Sequence, residues 1–179
     1  HYGGETEREM IRTAVALVST LATLGLATLL GVGAVNFTRL LGLGSDDALA
    51  LQLGLTNQID LRGLLLVGII IGTLGVLDDV TTTQAATVDE LARANDRLSP
   101  RELFRRGLSV GHDHIAAVIN TLALAYVGAA LPLIFLFQAN ASAPTWVTLN
   151  SEVIVEEVVR MLVGSTALIL AVPLTTALA

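Results

Sequence analysis

Hydrophobic positions in this chain run in long uninterrupted blocks rather than in the short amphipathic stretches of a water-soluble core. Thr13–Phe37 carries no charge, and Leu64–Leu77 reads Leu-Leu-Leu-Val-Gly-Ile-Ile-Ile-Gly-Thr-Leu-Gly-Val-Leu before Asp78 and Asp79 interrupt it. Ile115–Thr148 is again free of charge, with polar and proline-containing ends, and Val153–Ala179 is charged only at Glu156, Glu157 and Arg160. About 20 apolar residues cross a bilayer as a helix. The pattern therefore predicts an all-α fold, a polytopic bundle of four spanning helices at about 13–37, 61–92, 112–137 and 152–178. Residues 1–12 are expected to be an N-terminal flank, the edge of a longer chain, and 13–179 a single transmembrane bundle. Ala48–Leu55 is the segment expected to form a short interfacial helix.

The boundaries follow local signals. Ser99-Pro100-Arg101-Glu102 combines a capping Ser, a Pro at the first helical position and a Glu three residues on. Glu102–Val110 then lies at the interface or extends the third span, with Gly107 or Gly111 as a hinge. Val80–Ala94 contains neither Gly nor Pro, so the second helix is expected to continue past the Asp pair to about Asn95. Pro173 falls near the end of the fourth.

Composition supports the membrane reading: 53% of residues are hydrophobic and 15% charged, against about 25% charged in soluble domains. All ten basic residues are Arg, as expected of a GC-rich genome or a halophilic or thermophilic proteome. The net charge of −6 leaves no basic face for nucleic acid. The absence of Cys removes disulfides, thiol nucleophiles and Cys-held metals. Arg8 and Arg12 flank the first span and Arg93, Arg97, Arg101, Arg105 and Arg106 join the second to the third, whereas the opposite side has only Arg39 and Arg62. By the positive-inside rule, the N-terminus, the Arg93–Arg106 connection and the C-terminus are cytoplasmic in a prokaryotic cell membrane.

Chemistry concentrates at the Asp pair. Carboxylates at membrane depth cost about 2.5–3.5 kcal/mol each and persist facing a bundle interior, water or a counter-charge. At about 100° per residue, Gly68, Gly72, Gly75 and Asp79 share a stripe that Thr82, Thr83 and Ala86 continue. Gly68 and Gly72 form a small-xxx-small pair for helix packing. Asp79 is thus expected to lie buried between helices, with Asp78 beside it, as an interior proton- or ion-coupling site; the alternative is that the pair closes the membrane segment as a cap. Glu156 and Arg160, four apart, form either an internal ion pair or a site in which Arg160 reaches toward Asp79. Asn120, near the face of Ala116, Ala117 and Ala123, is expected to bond across helices or line a transport path. In His112-Asp113-His114 the spacing splays the rings apart, so no metal is expected, and interfacial pH sensing is the alternative role. No cofactor is implied. The expected partners are the bilayer and further spans or subunits.

Gly75-Val76-Leu77-Asp78-Asp79-Val80-Thr81, Leu98-Ser99 with Glu102-Leu103, Gly111-His112-Asp113-His114, Asn120 through Gly128, and Gly164-Ser165 through Ala171-Val172-Pro173-Leu174 resemble the YibE/F-like family over most of the chain from about Asp60. His112 stands where that family's pattern usually has Arg. The resemblance implies a longer multi-spanning protein with an upstream non-cytoplasmic domain, of which this is a C-terminal portion. Residues Gly68–Pro132, with a Gly-rich helix, an Asp pair and Ser-Pro-Arg-Glu opening the next span, are also similar to resistance-nodulation-division transporters and SecD/SecF. That likeness implies proton coupling at the matching Asp78 and Asp79. The leading expectation is the membrane-embedded portion of a proton- or cation-coupled transporter, not an enzyme; the alternative is a non-transporting scaffold or assembly subunit. An intramembrane aspartyl protease lacks a second mid-membrane Asp on a facing span, and nothing resembles a channel filter.

Overall fold

The computed structural model describes residues 2–54, 59–132, 135 and 144–179, except for the side chains of residues 2–5, 46 and 47. The described residues form helices and connecting turns, with no strand among them. The elements are α1 (Tyr2–Thr38), α2 (Asp46–Gly54), α3 (Leu61–Ala94), α4 (Pro100–Ala129), α5 (Thr145–Leu149) and α6 (Glu152–Leu178). Helix α3 runs unbroken through the Asp pair and ends at Asn95, as a breaker-free Val80–Ala94 requires. Asp60 starts it, accepting from the Arg62 backbone N–H at 3.1 Å. Ser99 caps α4 by accepting from Glu102 N–H at 3.3 Å, with Pro100 opening the helix.

Helices α1, α3 and α6 each contact the other two, and α4 lies against α3 and α6. The register is fixed by pairs of residues. Thr20 of α1 meets Thr81 of α3 with hydroxyl oxygens 2.5 Å apart, and Gly31 faces Leu66 and Ile69, so α1 and α3 are antiparallel. Gly68 approaches Arg160, and Gln84 donates to Thr176 Oγ1 at 2.7 Å, so α3 and α6 run the same way. One end of the bundle consequently gathers Arg8, Arg12, Asp89, Leu103 and Ala179. The turn after α1, Leu61 and the start of α6 meet at the other.

The surface and interior are arranged as a bilayer demands. Leu17, Leu21, Leu29, Ile71, Leu162 and Ile169 are exposed, whereas Ser19, Thr20, Thr23, Thr73, Thr81, Gln84, Thr175 and Thr176 are buried with Ile69, Leu77, Leu168 and Val172. Lipid solvates the apolar exterior, and in the absence of water most of the interior polar side chains bond internally, the hydroxyls of Ser19 and Thr175 having no partner among the described residues. Thr73 donates to the Ile69 carbonyl, Thr81 to that of Leu77 and Gln84 to that of Gly107.

Among the described residues, three helices are long and apolar enough to cross a membrane: Thr6–Thr38, Leu61–Ala94 and Glu152–Leu178. The expected span at 112–137 is described only in part: α4 supplies it up to Ala129, after a first half that carries Arg101, Glu102, Arg105, Arg106, His112, Asp113 and His114. The end of that expected span, residues 133–134 and 136–137, lies outside the described residues, as do Leu55 of the expected interfacial helix and residues 138–143 of the Gln138–Ser151 loop. Gly107 and Gly111 are not hinges, since α4 is continuous through both. They are the places where it touches its neighbours. A Cβ on Gly111 would come within 2.5 Å of Val172 Cγ1 and 2.6 Å of Gln84 Oε1.

Candidate functional site

Two stripes run along α3, and they do different things. Leu65, Ile69, Thr73, Leu77, Val80, Thr81, Gln84 and Val88 recur at helical spacing and are buried against the other helices. On another face, Gly72, Gly75, Asp78, Asp79, Thr82 and Thr83 are exposed. A Cβ added at Gly72 or Gly75 would meet nothing within 4 Å. The glycine stripe therefore does not pack against α1, α4 or α6, and Asp79 is not buried between helices as its glycine neighbours suggest. The periodicity correctly groups these residues on one face. It does not reveal that the Thr-and-Gln face is the one the chain covers itself.

The depth of the pair follows from the helix register. Thr81 sits opposite Thr20, and α1 remains uncharged for seven further residues down to Thr13. At 1.5 Å per residue, Asp79 lies roughly 13 Å inside the apolar limit set by α1. Neither Asp78 nor Asp79 has an ion pair or a side-chain hydrogen bond among the described residues. The pair does not close α3: the two carboxylates stand mid-helix, turned away from the chain's own core.

The expected Arg160 contact lies elsewhere. Arg160 Nη1 would be 3.5 Å from a Cβ on Gly68, and eleven residues of helix put Asp79 roughly 16 Å further along α3. Arg160 does not pair with Glu156 either: its Nε lies 3.5 Å from Glu157 Oε1, outside hydrogen-bond geometry, and is buried without a hydrogen-bond partner.

Glu156 is instead drawn to the turn that follows α1. That turn begins as a Schellman-type stop: Arg39 takes a left-handed φ of 56° and Leu40 N–H reaches back to the Val35 carbonyl at 3.3 Å. Gly42 has a φ of 82°, and a Cβ there would run into the Leu61 carbonyl. The successive N–H groups of Leu41, Gly42 and Leu43 donate to Glu152 Oε1 at 2.6, 2.7 and 3.2 Å, and Gly44 N–H donates to Glu156 Oε1 at 3.0 Å. Consecutive amides in such a turn form an anion-binding concavity, and the anions here are the chain's own side chains. This cluster was not apparent in the sequence. Its one signal was acidic residues at 152 and 156, one helical turn apart, with a glycine-rich turn elsewhere in the chain.

Asn120 is exposed on α4 and makes no hydrogen bond among the described residues, so the expected interhelical bond is not formed within this bundle. His112 and Asp113 are also exposed, whereas His114 turns partly inward, its Nε2 buried without a partner. Among the described residues no group of three His, Asp or Glu is placed to hold a metal ion.

Long apolar helices with a hydroxyl-lined interior and an apolar exterior define a helical membrane protein. The YibE/F-like protein family model matches residues 8–179, and the chain belongs to that family. No curated protein and no solved structure matches it.

Proposed function

We propose that the chain is the membrane-embedded portion of a proton- or cation-coupled transporter in a prokaryotic cell membrane, with Asp78 and Asp79 as the titrating groups. The observation that carries this reading is their location, two adjacent carboxylates roughly 13 Å within the apolar layer on a face that none of the described helices covers. Against lipid, each would cost about 2.5–3.5 kcal/mol, so that face adjoins water or a further polar element of the assembled protein. A carboxylate at such a boundary gains and loses a proton as its surroundings change, which is the elementary step of ion coupling. The similarity of Gly68–Pro132 to resistance-nodulation-division transporters and SecD/SecF supports the same role. The Arg-rich end of the bundle is the cytoplasmic one in this reading.

A non-transporting scaffold is the second reading, favoured by the open space at Gly72 and Gly75, where another backbone has room to approach. One experiment separates the two. In the full-length protein reconstituted in liposomes, Asp78→Asn/Asp79→Asn should abolish proton flux while leaving expression and folding intact, because the amide keeps the shape but cannot titrate. Undiminished flux in the double variant, or no flux in the parent protein, refutes coupling. A scaffold tolerates both amides but loses assembly when Gly72 or Gly75 becomes bulky.

A further inference from the structure

At the end of the bundle opposite the Arg-rich connection, a cavity of about 500 Å³ lies between the turn after α1, α2 and the first turns of α3 and α6. Its walls include Gly44, Ala48, Leu65, Gly68, Glu156 and Arg160. The size is that of a small-molecule pocket, and the lining has the matching composition, apolar walls with a few polar groups.

Two of those polar groups have unmet needs of opposite sign. Glu156 is 8% exposed, accepts one hydrogen bond, from Gly44 N–H, and has no ion pair among the described residues. A carboxylate that deeply buried calls for a positive partner. Arg160 offers the converse. Its guanidinium is ion-paired with Glu157, which also lines the cavity, at 3.5 Å from Nε to Oε1, but the buried Nε N–H has no hydrogen-bond acceptor among the described residues. Glu152, the nearby acid, is already satisfied by three backbone N–H groups. Glu156 and Arg160 are one helical turn apart on α6, with Cβ atoms about 5–6 Å from one another, yet they do not close on each other. The pair places an acceptor and a donor, side by side, in the wall of one half-open cavity.

We propose that this cavity binds a small zwitterion of the free amino-acid class, its ammonium on Glu156 and its carboxylate on Arg160. A simple cation leaves the Arg160 guanidinium short of a hydrogen-bond acceptor, and a simple anion leaves Glu156 without a counter-charge; a zwitterion answers both. The apolar wall at Leu65 and Ala48 accommodates a small aliphatic side chain. Gly68 keeps the α3 side open, because any larger residue would project toward the guanidinium. The inference is independent of whether Asp78 and Asp79 titrate.

Isothermal titration of the purified chain in detergent tests it with three size-matched probes: L-alanine, ethylammonium and propionate. L-Alanine should bind saturably, and the two single-charge probes about tenfold more weakly or worse, a difference of about 1.4 kcal/mol. Glu156→Gln retains the acceptor for Gly44 N–H and should weaken L-alanine by a similar factor, as should Arg160→Gln. Gly68→Leu removes no charge but fills the cavity, and should abolish binding while the helical signal and the unfolding transition stay close to those of the parent. Ethylammonium binding as well as L-alanine would make this a cation site, and propionate doing so an anion site; either overturns the proposal. Absence of L-alanine binding to a protein whose unfolding transition is intact overturns it too.

Discussion

At the scale of single residues, the two ends of the bundle treat carboxylates in opposite ways. Glu152 and Glu156 accept hydrogen bonds from backbone amides of the turn after α1, whereas Asp78 and Asp79 have no such partners among the described residues. The turn depends on the absence of side chains at two positions. A methyl group at Gly44 would come within 2.5–2.8 Å of the Glu156 carboxylate, and one at Gly42 would both strain a positive φ and strike the Leu61 carbonyl. Gly44→Ala should therefore cost about 1–3 kcal/mol, read as an earlier thermal unfolding transition in detergent, and Gly42→Ala at least as much. The presence of charged residues at depth was legible in the sequence, because apolar runs on both sides make any carboxylate conspicuous. Their orientation was not. A helical stripe states which residues share a face and is silent on whether a neighbour covers it.

Among the elements, α3 shows most clearly how packing and sequence pattern diverge. Its glycines suggested the contact face, by the logic that small residues let helices approach, yet the contact is made through Thr73, Leu77, Thr81, Gln84 and Val88. The close approaches of glycine to a neighbouring helix occur in α4 instead, at Gly107 and Gly111. A paired substitution tests this assignment. Gly111→Leu should destabilise the bundle by about 1–3 kcal/mol through overpacking against Val172 and Gln84. Gly75→Leu should leave the unfolding of this chain unchanged, since nothing lies within 4 Å of its Cβ position. Equal destabilisation by the two would mean that the glycine stripe of α3 is covered after all. The length of α3 and the caps at Asp60 and Ser99 followed from local chemistry, and the sequence signals for them were correspondingly direct. The covered face was legible too, as hydroxyl and amide residues at helical spacing, but only to a reading that expects a membrane interior to be more polar than its lipid face.

For the molecule as a whole, the distribution of Arg becomes a geometric statement once the helices are placed. Arg8, Arg12 and the α3–α4 connection lie at one end, and α2 with the turn after α1 at the other. Cysteines introduced by Arg97→Cys and Gly54→Cys should label from opposite sides of the membrane, Gly54→Cys from outside with an impermeant reagent. External labelling of Arg97→Cys would invert the topology without altering the fold. The all-helical architecture was legible because long apolar runs leave few alternatives in a bilayer, whereas the union of the turn after α1 with α6 was not, since the partners are 109–112 positions apart and only the folded bundle brings them together. That union also bears on biosynthesis. The amides of Leu41, Gly42, Leu43 and Gly44 emerge from the ribosome long before Glu152 and Glu156, so the first hairpin enters the membrane with its turn unfinished. Closure waits for α6. The acidic residues at the start of α6 thus act as a latch on a structure begun much earlier in synthesis, and a nascent chain halted before residue 152 should hold α1, α2 and α3 loosely, open to protease at the turn until α6 arrives.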